Sequence, residues 1–151
     1  MLLEAALAYL HLMAILTWVV FIGSSTALTR TEWLNDASLA RLARVDRIAA
    51  IAAMAVLFTG IARVAWGIKG ATWYGAQPLL WAKLLLWLVM VVIGGRASRR
   101  IQGWQRARVA GKGLPADADV VAVRKRLMIA SHIMLVVPLV AVCLARGLGV
   151  R

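Results

Sequence analysis

The chain has 151 residues, 63% of them hydrophobic, with a mean hydropathy of +0.83 and a formal charge of +12. That composition excludes an ordinary water-soluble domain. Four apolar stretches, residues 2–28, 48–68, 78–95 and 127–145, each have the length that crosses a hydrocarbon core of about 30 Å.

In lipid every backbone polar group must be bonded within its own segment. The expected fold is therefore all-α, a bundle of four transmembrane helices forming one integral-membrane domain over residues 1–151. The first stretch carries Glu4 and no basic residue ahead of its apolar run, and is about twice as long as a signal-peptide core, so it reads as a retained span. It ends in Gly23-Ser24-Ser25-Thr26, small residues that permit close helix contact. Thr29 to Arg47 is a mixed polar segment with Leu34, Leu39, Leu42 and Val45 at helical spacing, expected to form a short amphipathic connection leading directly into span two. Span two is rich in alanine (Ala49, Ala50, Ala52, Ala53, Ala55) and contains Gly60. Small residues let backbones approach in lipid, which places this helix at the centre of the bundle.

The turn from Gly67 to Gln77 leads to Pro78, which opens span three in a favoured first-turn position. Trp66, Trp73, Tyr74 and Trp81 surround this turn as an interfacial aromatic belt. Gly111-Lys112-Gly113-Leu114-Pro115 is a turn signal between helix-compatible flanks, so spans three and four are expected to continue as helices beyond the membrane. Pro138 is expected to bend span four. Cys143 is alone, which excludes an intramolecular disulfide and leaves it as a packing residue.

The placement of charge carries more information than its sum. Thirteen of the eighteen basic residues fall in the connection after span one (Arg30, Arg41, Arg44, Arg47) and the region from Arg96 to Arg126. The opposite side has little beyond Lys69 and Arg151. This asymmetry puts both termini on the periplasmic side and explains the charge without nucleic acid. Basic loops beside a membrane suit anionic lipid headgroups.

Ionisable residues at membrane depth are costly and each asks for a function. Counting about 1.5 Å per residue, His11, Arg63, Lys83 and Arg146 fall in one outer layer, with Glu4 on the face of His11. His132 falls near the inner face, roughly 12–15 Å from His11, so the two histidines do not share a metal. Met13 and Met134 each follow a histidine by two positions, but on a helix such side chains diverge by about 200°, which removes a copper pairing. Asp46 is expected to pair with Arg44 or Arg47 at a helix mouth. No carboxylate is placed deep in a span, so no proton relay or cation path is evident, which argues against a pump or cation channel. The plain alternative has Arg63, Lys83 and Arg146 snorkelling to headgroups and His11 packed neutral between helices.

Val45-Asp46-Arg47, Thr59-Gly60-Ile61-Ala62-Arg63-Val64, Pro78-Leu79-Leu80-Trp81-Ala82-Lys83-Leu84 and Ala145-Arg146-Gly147-Leu148-Gly149 resemble, in order, domain-of-unknown-function family 2214 of bacterial inner-membrane proteins. The resemblance implies a four-helix, multi-pass protein of the bacterial inner membrane and no particular activity. Leu10 to Trp18 is also similar to the first span of the four-helix membrane protoporphyrinogen IX oxidases and of the copper-resistance D membrane domains. In those oxidases a first-span histidine and a third-span lysine are functional and haem b is bound, which implies roles for His11 and Lys83. Their proline-arginine-leucine stretch ending in Tyr-His, and their third-span Tyr-His pair, do not occur here.

Two readings follow. One is a cofactor-free membrane scaffold or accessory subunit, within a homo-oligomer or a larger membrane complex. The other is a haem- or porphyrin-binding redox protein, with His11 as axial ligand to the iron and Lys83, Arg63 and Arg146 on the propionates.

Overall fold

A computed structural model describes residues 2–68 and 70–146. Lys69, Gly147-Leu148-Gly149 and Arg151 lie outside the described residues. Four long helices, α1 (Leu2–Leu28), α2 (Asp36–Trp66), α4 (Pro78–Val109) and α5 (Asp117–Ala145), are joined by short connections, one of which contains α3 (Gly70–Gly75). All regular structure among the described residues is helical, and each long helix is apolar and extended enough to cross a bilayer. α1 packs on α2, α2 on α4, α4 on α5, and α5 back on α1. The helices thus form a ring in which α2 is one wall rather than a central rod.

Local chemistry sets the helix ends. A 3₁₀ turn, Thr31–Trp33, follows α1, and the Arg30 guanidinium lies 4.5 Å over the Trp33 ring. α2 then opens on a reciprocal capping box: the Ser38 N–H donates to the Asn35 side chain, and the Asn35 N–H donates to Ser38 Oγ. Neither Gly nor Pro follows until Gly60, so the helix continues without a break into the apolar stretch. From Asp36 to Arg47 the amphipathic connection is therefore the first part of α2, continuous with the span it leads into. Its Leu39 and Leu42 are fully buried. Gly111, with φ +79°, turns the chain between α4 and α5 through the left-handed region open to glycine. α5 remains helical through Pro138, whose missing N–H leaves the Met134 carbonyl without its usual donor one turn on.

At 31 and 32 residues, α2 and α4 are about 46–48 Å long, well beyond a hydrocarbon core of about 30 Å. The surplus lies at the end that carries the basic loops, called here the basic end. Two cores divide the interior accordingly. Trp18, Ile22, Ala49, Ala52, Ala53, Met90, Ala130 and Met134 pack within the apolar stretches. Leu42, Ala43, Ala97, Ile101, Val123 and Leu127 join α2, α4 and α5 at the basic end.

Candidate ligand cavity

At the end where α1 begins, α1, α2, α3, α4 and α5 surround a cavity of about 450 Å³. Three of the four residues singled out by depth line it together: His11 from α1, Arg63 from α2 and Lys83 from α4. Arg146 is exposed and lies outside the lining, as does the half-buried Glu4.

His11 is 8% exposed, and its Nδ1 lies 2.8 Å from Thr59 Oγ1. Thr59 Oγ1 also bonds to the Ala55 carbonyl at 2.6 Å, which holds the hydroxyl in place beside the ring. The bond from His11 to this second partner holds the orientation of the ring against α2. Gly60 makes the approach possible. A Cβ added there would lie 3.3 Å from His11 Cε1, tighter than ordinary packing, so a larger residue would push the ring away from α2.

Arg63 and Lys83 supply positive charge without a counter-ion. Among the described residues no Asp or Glu lines the cavity, and the recorded ion pair is Asp36 with Arg108 at the basic end. Ionisable side chains facing a bundle interior ordinarily pair with one another or with carbonyls. Two cations over an apolar chamber are chemically suited to anionic groups carried by an otherwise apolar molecule.

Aromatic rings complete the walls. Trp73, Tyr74 and Trp81 contribute to the lining; Trp73 and Tyr74 are half-buried, while Trp81 at 59% and Trp66 at 67% exposure remain on the surface as an interfacial belt does. Trp73 and Tyr74 meet edge to face at 5.0 Å, and the Trp81 Nε1–H donates to the Gly75 carbonyl at 3.0 Å, tying α4 to α3. Trp87 donates to the Ala53 carbonyl at 3.0 Å, a bond that needs the small side chains of α2. Spacing along the sequence gave no sign of this enclosure, because α3 brings Trp73 and Tyr74 over the cavity only once the turn is folded.

The inner polar residues fall differently from the sequence expectation. Asp46 does not pair with Arg44 or Arg47, which are exposed on α2; it is 4% exposed and turned into the bundle. Its Oδ2 accepts from Ser98 Oγ at 2.7 Å and from Gln102 Nε2 at 2.9 Å, both on α4. His132 is exposed, with Nδ1 2.6 Å from the Met128 carbonyl one turn back, and is not near a shared site with His11. Among the described residues no three His, Cys, Asp or Glu side chains gather as a metal site.

Comparison with curated proteins and with solved structures finds no match to this chain. A family model does match, over residues 3–149 and therefore nearly the whole chain. A multi-pass, four-helix protein with this composition thus belongs to the predicted membrane protein family DUF2214.

Proposed function

We propose that the protein binds haem b, or a porphyrin of the same class, in the cavity and serves as a redox protein of the bacterial inner membrane. The observation that carries this reading is the pairing of His11 with Thr59 beside two uncompensated cations. The His11 imidazole, held by Thr59, would be the residue that binds the iron. Lys83 and Arg63 suit the carboxylates of propionates, and the aromatic walls suit a flat apolar ring. Arg146, outside the lining, is not needed. Bound haem would supply one-electron chemistry, with the potential set by the axial ligand and the polarity of the site. The chain's own part is to fix the imidazole, hold the anionic edge and exclude water.

In the same reading the basic end faces the cytoplasm, where thirteen arginines and lysines meet anionic headgroups, and the cavity lies towards the periplasmic leaflet. The test is a visible spectrum, oxidised and dithionite-reduced, of protein expressed with haem supplementation, beside the His11→Ala variant. A Soret band that sharpens on reduction in the native protein and is lost in the variant is expected. A colourless native protein overturns the proposal and leaves the scaffold or accessory-subunit reading. A band indifferent to the variant removes His11 as the ligand.

A further inference from the structure

A second cavity, of about 320 Å³, lies end to end with the first. The upper chamber takes its α1 lining from His11 to Trp18, and the lower takes its own from Trp18 to Ser25. α4 hands over in the same manner at Met90, and α2 between Met54 and Val56. Trp18 and Met90 therefore line both chambers, and at 5% and 1% exposure they fill the space between them.

Two polar side chains of the lower chamber, Asp46 and Ser25, have bonding capacity to spare. Both recorded bonds to the Asp46 carboxylate go to Oδ2, leaving Oδ1 without a protein donor. Ser25, 1% exposed, has an Oγ with no hydrogen-bond partner. A buried hydroxyl without a partner is expensive in a dry interior and its natural partner is water, while a carboxylate oxygen that takes no protein donor and is not fully covered is open to a proton or to water. The charged group that shares this lining is Arg99 on α4, itself exposed; Arg44 and Arg47 beside Asp46 on α2 are also exposed, and α1 and α5 contribute no ionisable side chain.

We infer that the bundle holds a gated proton path along its axis, with Asp46 as the proton-accepting group at the basic end and Trp18 with Met90 as the closed gate. A proton from water at the basic end goes to Asp46 Oδ1; when the gate opens, Asp46 returns it to water in the upper chamber, with no change in electron count. An apolar constriction of this kind closes by excluding water, and displacing its side chains wets it. The path shares the upper chamber with the haem reading and is therefore tested on ligand-free protein. It revises the expectation of no proton relay, because Asp46 is buried in the bundle and not paired at a helix mouth.

The test uses ligand-free protein in phosphatidylcholine vesicles loaded with a pH-sensitive dye, with proton uptake driven by a potassium gradient and valinomycin. The native protein is expected to collapse the gradient no faster than empty vesicles. Trp18→Ala with Met90→Ala is expected to collapse it several-fold faster, and Asp46→Asn in that background to restore the native rate. A folded double variant that stays tight, or a leak indifferent to Asp46→Asn, overturns the inference. Should the double variant fail to fold, infrared difference spectra decide. A carboxyl stretch that titrates in the native protein and vanishes in Asp46→Asn supports the path, and its absence at every pH overturns it.

Discussion

Gly60 determines how closely His11 lies against α2, and so where its Nε2 points. Gly60→Ala adds a Cβ 3.3 Å from His11 Cε1, and the ring must give by a few tenths of an ångström. Because the neighbour is a side chain, the fold is expected to survive while haem is held more weakly. Titration of purified apoprotein with haem is expected to show a dissociation constant raised about tenfold, equal to about 1.4 kcal/mol. Unchanged affinity would mean that the ring position does not matter to binding. Depth along the helices was enough to single out His11, Arg63 and Lys83, because 1.5 Å per residue turns sequence position into height. Height says nothing of azimuth, however. Thr59 as the partner of His11, and Asp46 turned away from its neighbouring arginines, depend on how helices are rotated against one another, which a weakly amphipathic chain does not encode.

Individual elements are held by different forces along their length. Within the apolar stretches, lipid tails are as apolar as the interior, so contact rests on small residues and specific bonds such as Trp87 to the Ala53 carbonyl. At the basic end α2, α4 and α5 project beyond those stretches, and there the Leu42, Ile101 and Val123 core gains from leaving water. Leu42→Ala, at a fully buried position, is expected to cost about 2–5 kcal/mol in reversible denaturation. A smaller loss would mean that this core is lipid-bathed as well. The exposed pair between Arg108 and Asp36, with both bonds at 2.6 Å, joins the same ends of α4 and α2. These bonds hold the Asp36 carboxyl below the usual carboxylate range. Its contribution is therefore complete above the ordinary carboxylate pKa of about 4 and is lost only as pH falls through the lower folded value. Since water screens the pair, Asp36→Asn is expected to leave the melting temperature at neutral pH nearly unchanged. A large drop there would show that the pair is shielded. Helix ends, too, were only half legible: the Gly-Pro turn after α4 stood out. The leucines at helical spacing pointed to the lead into span two, but the start of α2 at Asp36 depends on the Asn35–Ser38 cap, which spacing does not show.

For the whole molecule, the distribution of charge makes orientation testable. With Cys143→Ser as background, Lys112→Cys is expected to resist an impermeant maleimide in intact cells and to react once the membrane is opened. Ala76→Cys, in the opposite connection, is expected to react in intact cells. The reverse pattern would invert the topology and with it the side to which the cavity opens. Four spans were plain from hydropathy alone, since 18 or more apolar residues in lipid have one stable conformation. The two stacked chambers were not, because a void is a property of the ring and of no single helix.

The length of α4 has a mechanical consequence. Its 32 residues form one hydrogen-bonded rod, lining both chambers and ending at the Asp36 pair. A rod of about 48 Å that tilts by about 5° at one end swings the other by about 4 Å. Anything that seats against Lys83 thus has leverage on the far tip, and a partner pressing on that tip has the same leverage on the chamber.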